Sequence, residues 1–257
     1  MRRIGRAQKV PGRDRRSTRR AEPRPPQSAD GGLTLRGVSG DAAKDEAVWA
    51  EARARYEQAE RAGCYDARRE RGLVRQARER WMRRLLGRAL EGVAPGSTVL
   101  DLPCGTGRLT GWLVGRGYRV LSADLSGRML AEARSKSAGA PAALLKADAE
   151  RLPLADAAVD AALVVRFLHL VAPRPARLRI FAELARVTRQ RVVLAVSFPH
   201  GSARDLLRTA RGKALKPPGP TRDELIEELA ASGLVLERRH DKLPFFSTQT
   251  ALVCRPG

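Results

Sequence analysis

A chain of 257 residues with 49 Lys and Arg against 28 Asp and Glu carries a formal net charge of +21, and 43% of its residues are hydrophobic. That apolar share is enough for a packed core and excludes a wholly disordered chain. No uninterrupted apolar run approaches the roughly 20 residues of a membrane-spanning helix, and the N-terminus lacks the apolar stretch of a secretory signal. The three cysteines, Cys64, Cys104 and Cys254, are too few and too widely spaced for a disulfide framework or a zinc site. No metal is therefore expected, and the expected compartment is the cytoplasm.

Residues 1–40 hold 11 basic and 3 acidic side chains among many Pro and Gly, with no apolar periodicity. They read as a disordered basic tail that supplies 8 of the 21 net charges. A segment such as Arg13–Arg20 would make weak, nonspecific contact with RNA or anionic lipid. The basic residues are mostly Arg, among abundant Ala, Gly and Pro, a pattern GC-rich coding produces without selecting phosphate ligands. Residues 41–96 read as an N-terminal helical cap, with Trp49, Tyr56, Leu73, Trp81, Leu85, Leu86 and Leu90 among its apolar positions. Residues 97–257 then have the length of one domain.

The most informative stretch is Thr98-Val-Leu-Asp-Leu-Pro-Cys-Gly-Thr-Gly-Arg108. It reads as a buried strand, an acid at its end, and a glycine turn that lets backbone approach a ligand before a helix starts near Arg108. A dinucleotide fingerprint needs G-x-G-x-x-G, whereas here Gly105-x-Gly107-x-x-x-Gly111 is one residue longer and Asp101 precedes it. A pyrophosphate would meet that carboxylate unfavourably. A second strand, Arg119–Asp124, ends in an acid about 20 residues on, where α/β nucleotide sites hold ribose hydroxyls. Asp124 is followed by Leu125-Ser-Gly-Arg-Met-Leu-Ala-Glu-Ala133, and a third strand, Ala142–Lys146, by Ala147-Asp-Ala-Glu-Arg-Leu-Pro-Leu154. In these three segments the chain resembles the class I S-adenosylmethionine-dependent methyltransferases. The resemblance covers about residues 97 to 255.

The resemblance implies S-adenosylmethionine as cofactor. Its site would comprise Asp101, Pro103, Cys104, Gly105, Thr106, Gly107 and Arg108 in the first turn. Asp124, Leu125 and Met129 would follow at the ribose and adenine, although Met129 reads more readily as core. Asp148, Ala149 and Glu150 would form the adenine loop, and Arg166 would complete the set. Pro103 departs from the commoner Gly; it fixes φ and removes a donor. Helices before the first strand often cover the cofactor crevice in this family, and Tyr65 is a candidate lid residue, with helix packing the equal alternative.

Strands then alternate with helices: strand Val159–Val165, helix Ala176–Val187, strand Val192–Phe198, and a helix from Thr221 to Ala230 with Thr221 as N-cap. Two closing strands, Leu234–Arg239 and Thr248–Cys254, follow without a helix between them. The expected fold is α/β: a doubly wound Rossmann-like sheet of about seven strands ending in an antiparallel hairpin.

The acceptor is less legible. After the fourth strand, Arg166-Phe-Leu-His-Leu170 lacks the N/D-P-P-Y/F motif of enzymes that methylate base amines. Cys104 lies in the cofactor turn, misplaced for attack on a base. His169 and His200 are candidate general bases, each with a structural alternative, and Arg166 either anchors an anionic acceptor or pairs with a neighbour. The first expectation is a small-molecule acceptor. An RNA or protein methyltransferase docking through the tail, a non-catalytic binding protein of the same fold, and a dehydrogenase are the alternatives.

Overall fold

The computed structural model describes residues 42–58, 73–136, 142–198, 220–241 and 249–257, all within the compact unit Leu33–Gly257. Two helices, α1 (Ala42–Gln58) and α2 (Leu73–Ala89), precede the sheet. In chain order follow β1 (Thr98–Asp101), α3 (Thr110–Val114), β2 (Arg119–Asp124), α4 (Gly127–Lys136), β3 (Ala142–Lys146) and β4 (Val159–Val165). A 3-10 turn (Leu168–Leu170), α5 (Arg174–Val187), β5 (Thr188–Ser197), α6 (Arg222–Ala231), β6 (Leu234–Asp241) and β7 (Gln249–Pro256) complete it.

The strands form one seven-stranded sheet in the order β3-β2-β1-β4-β5-β7-β6. β1 to β5 are parallel, and β7 inserts antiparallel between β5 and β6. The expected sheet and its closing hairpin are present. Central strands such as β4 are buried on both faces, as near-continuous apolar runs in parallel sheets must be. Alternate residues feed two cores. Leu100 and Val164 pack with Phe181 and Leu184 of α5; Val99 and Leu163 pack with Leu86 and Leu90 beside Leu113 of α3. Because β2 and β3 are laid down on one side of β1 and β4 and β5 on the other, the strand order reverses at β1, and a crevice opens at the carboxyl ends of these strands.

Some boundaries differ from the sequence expectation. The helix after the glycine turn starts at Thr110 rather than near Arg108 and ends by Gly115, so it is five residues long. β5 begins at Thr188, four residues early, because polar Thr188–Arg191 pairs with β4 across a register shift at Val159/Ala161. The expected cap of α6 forms: Thr221 Oγ1 accepts from Glu224 N–H at 3.2 Å, and Glu224 Oε2 accepts from Thr221 N–H at 2.7 Å. Among the described residues no helix is long and apolar enough to cross a membrane. Residues 1–40, Tyr65, Cys64 and His200 lie outside the described residues.

One buried ion pair fixes the segment leaving the crevice. Arg177 on α5 donates to both oxygens of Glu228 on α6, at 2.8 and 2.6 Å, and to the carbonyls of Val171 and Ala172. Both side chains are buried, so removing one partner leaves an uncompensated charge, a loss of about 3–5 kcal/mol. Glu228→Ala is therefore expected to destabilise the protein by that amount in equilibrium denaturation. A loss below about 1 kcal/mol would mean that the backbone carbonyls alone satisfy Arg177.

Candidate functional site

The crevice is built on two buried carboxylates. Asp101, the last residue of β1, is 2% exposed; Thr110 Oγ1 donates to its Oδ2 at 3.1 Å and shares a hydrogen bond of 2.9 Å with Ser122 Oγ on β2. Burial raises the Asp101 carboxyl to about 7, against the opposing pull of the Thr110 hydrogen bond and Arg108. Asp124, the last residue of β2, is wholly buried. Its Oδ2 accepts from Gly105 N–H at 2.8 Å and its Oδ1 from Ser126 N–H at 2.9 Å. Desolvation outweighs these donors and raises its pKa.

The turn between the two acids needs its glycines for different reasons. Gly105 has φ +55, and a Cβ there would meet nothing within 4 Å, so the turn faces open space. Gly107 has φ +74, which strains any L side chain, and a Cβ there would lie 3.0 Å from Ala133 of α4, so α4 would have to give way by a few tenths of an ångström. Leu102 N–H donates to Leu163 O and Cys104 N–H to Ala123 O, lacing the turn between β4 and β2. Pro103 is half-buried and Thr106 buried. Burial pushes the Cys104 thiol well above its ordinary value, which leaves it a small packing residue and no nucleophile. Arg108 ion-pairs with Glu79, tying the turn to α2.

The third acid group follows β3. Asp148 Oδ1 accepts from Glu150 N–H at 3.0 Å, and Ala149 is buried beside it. Helix α1 lies over this loop. Arg53 ion-pairs with Asp148 and Glu150, Trp49 Nε1 donates to Glu150 Oε1 at 2.7 Å, and Tyr56 Oη donates to Asp124 Oδ2 at 3.4 Å. Arg179 of α5 also donates to Glu150 at 2.7 Å. Glu150 is thus engaged in anchoring α1. Tyr65, the lid residue expected from the sequence, lies outside the described residues; the described residue over the crevice is Tyr56. Its signal in the sequence is the spacing Trp49, Arg53, Tyr56, which puts three hydrogen-bonding side chains on one helix face.

The end of β4 borders the same edge of the sheet. Arg166 has φ +59, in the left-handed region, and its N–H donates to Ala195 O of β5 at 3.3 Å. Such a conformation costs a non-glycine residue about 1–3 kcal/mol, and strain of this kind concentrates at functional sites. Phe167 packs against Trp49 of α1 with ring centroids 6.5 Å apart. His169 is exposed on the 3-10 turn. Leu125 is half-buried, while Met129 is buried and its N–H reaches Ser126 Oγ at 3.4 Å. Among the described residues no group of three or more His, Cys, Asp or Glu gathers to hold a metal ion.

The family described as a methyltransferase domain matches residues 100–196. Over 98 residues the chain is 40% identical to a demethylmenaquinone methyltransferase of Beutenbergia cavernae, a stretch covering 38% of this chain and 39% of that one. Over 146 residues it is 38% identical to a malonyl-[acyl-carrier protein] O-methyltransferase of Serratia marcescens, covering 56% and 52%. The chain therefore spans about half, or less, of the length of these curated relatives. The solved structure of magnesium protoporphyrin IX methyltransferase from Synechocystis, with bound SAH, is similar at a TM-score of 0.64 and 18% identity, covering 80% of this chain and 99% of that one. At that identity the likeness is one of fold.

The burial of Asp101 has a pH signature. Its folded pKa stands above the ordinary carboxyl value of 3.8, so the folded state binds the proton more tightly than the unfolded one. The stability this gives is fully present below about pH 4 and is lost as pH rises through about 7. Asp101→Asn removes the ionisation and is expected to raise the melting temperature of the ligand-free protein at pH 8 more than at pH 5. An equal shift at both pH values would show that Asp101 is not the titrating group.

Proposed function

We propose, from the methyltransferase-domain match over residues 100–196 and the similarity to known methyltransferases, that this chain is a class I S-adenosylmethionine-dependent methyltransferase that transfers the methyl group to a small-molecule acceptor. The observation that carries the reading is the set of three carboxylates at the carboxyl edge of the parallel sheet, Asp101 and Asp124 ending β1 and β2 and Asp148 two residues past β3. The residues fit the cofactor chemically. Asp101, a buried acid, would gain an ammonium counter-charge. Asp124 would accept from the ribose hydroxyls, and Asp148 with the Ala149 N–H would read the adenine edge. Pro103, Cys104, Gly105, Thr106, Gly107 and Arg108 would line the methionine end, with Leu125 and Met129 as apolar flank. When bound, the cofactor supplies an activated methyl group on a sulfonium.

What remains for the chain's own residues is to align the acceptor and exclude water. Arg166, held at the mouth of β4, would orient an anionic acceptor. The relatives' acceptors, a demethylmenaquinone and a malonyl thioester on a carrier protein, support a small organic group as the reacting partner.

In the described conformation Arg53 and Tyr56 already occupy Asp148 and Asp124, so cofactor entry must displace them. The Arg53 Nε is buried without a hydrogen-bond partner, a cost that release of the helix would recover. Calorimetry with S-adenosylhomocysteine tests the reading. Asp124→Ala is expected to weaken binding by about 1.5–3 kcal/mol, as loss of hydrogen bonds to a charged group does. Arg53→Met is expected to tighten it several-fold. No binding to the wild type would sink the proposal; weaker binding to Arg53→Met would make Arg53 part of the bound state.

His169 and His200 stand as the candidate bases. With His169 exposed, we expect His169→Ala to leave turnover nearly unchanged on an acceptor identified by labelled methyl transfer. A fall of about 10²–10⁴-fold at constant cofactor affinity would instead establish it as the base.

A further inference from the structure

A second concave site lies away from the three carboxylates. A cavity of about 890 Å³ runs along the outer side of α2, between it, α3 and the end of β6. Arg80, Arg84 and Arg88 border it at a spacing of four residues, on one face of α2. All three are exposed, and among the described residues none of them meets a carboxylate within ion-pair distance. Successive arginines of such a row rise by about 6 Å. The Arg116 guanidinium lies over the Trp112 ring, 5.2 Å from its centroid, and packs beside Gly87 of α2. Trp81 and His240 add further ring surface, and the His240 Nε2 is buried without a hydrogen-bond partner.

The charge is one-sided. Six arginines line the cavity against two acids, Glu91 and Asp241, and Asp241 is already committed to Arg239 at 2.7 Å and to the Thr250 hydroxyl at 2.8 Å. Codon bias accounts for an excess of Arg but not for its gathering around indole rings in a concavity of ligand size. We propose that this cavity binds a nucleotide unit: consecutive phosphates along Arg80, Arg84 and Arg88, with the attached base stacked on the Arg116–Trp112 pair. Guanidinium groups bind phosphate oxygens through paired N–H donors, and both guanidinium planes and indoles stack bases. An acidic peptide would satisfy the arginines but has no use for the stack. The nucleotide is either free or part of a single strand, and the site is independent of the methyl-transfer reading.

The test uses the full chain saturated with S-adenosylhomocysteine, which keeps adenine-like ligands out of the first crevice. Four probes are titrated at several salt concentrations: guanosine triphosphate, a single-stranded oligouridylate, inorganic tripolyphosphate and an oligoglutamate. The wild type is expected to bind at least one of the first two saturably and more tightly than tripolyphosphate, with affinity falling as salt rises. The ratio of those two affinities tells a free nucleotide from a strand. Arg84→Glu/Arg88→Glu should weaken binding at least tenfold and Arg116→Ala several-fold, with melting temperature and S-adenosylhomocysteine affinity unchanged. Arg134→Glu/Lys136→Glu, an equal double reversal at exposed positions of α4, should change little. The proposal is overturned by absent saturable binding, by tripolyphosphate or oligoglutamate binding as tightly as the nucleotides, or by equal losses in the α4 double variant. If S-adenosylhomocysteine itself fails to bind, the first crevice is misread while the same titrations still decide this site.

Discussion

Two carboxylates taken out of water within one glycine turn set the terms for the rest of this molecule. Burying an acid is unfavourable unless donors or a counter-charge meet it, and for Asp124 the two closest donors are backbone. The Gly105 N–H points at Asp124 only because the turn adopts positive φ. The turn can do so because Gly107 lets α4 close against it with no Cβ in the way. The parallel sheet supplies the other half of the constraint. Pairing β1 with β2 in register puts Asp101 opposite Ser122, two residues before Asp124, so both acids reach the same end of the sheet. Asp101 remains the less compensated of the two, since its side-chain donor is a single hydroxyl. An acid left in that state makes the ligand-free crevice costly and a bound cation favourable.

Helix α1 meets this crevice on two kinds of contact with different strengths. Trp49 and Ala52 belong to the apolar core beneath, while Arg53, Tyr56 and Glu57 reach polar groups on the loops and strands around the crevice. Half-exposed ion pairs contribute little net stability, whereas the buried indole contributes through area removed from water. The helix therefore has a firm end and a loose end. Motion of the Arg53–Glu57 end, pivoting about Trp49, would free Asp124 and Asp148 without opening the core. Local openings of this kind draw on regions held by few apolar contacts.

The sheet is legible in the sequence because parallel strands buried on both faces leave uninterrupted apolar runs, as in Ala161–Val165. The acids at strand ends are legible for a related reason: a carboxylate directly after such a run falls at the carboxyl edge of the sheet, where α/β folds bind their ligands. What stays hidden is set by tertiary contact. Thr188–Arg191 is polar, so nothing marks it as strand until β4 pairs with it. The positive φ of Arg166 carries no local signal, since it is glycine that such positions favour. Arg53 and Tyr56 have the right spacing for one helix face, but which loop that face meets depends on the fold. The arginines of α2 look like composition in the sequence; only the position of Trp112 and β6 beside them makes a cavity.

The acceptor side follows from the same geometry. Turning the chain at Arg166 through a left-handed residue brings Phe167 up against Trp49, so the loop after β4 and the firm end of α1 share one contact. Tilting the helix about Trp49 would change the angle of the indole against Phe167, and with it the loop after β4. The same aromatic pair thus joins the helix over Asp124 and Asp148 to the loop after β4. Coupling between the two through this contact needs no longer pathway, only an element with two positions that both ligands bias. Arg166, strained and adjacent, is the residue whose backbone would register the difference.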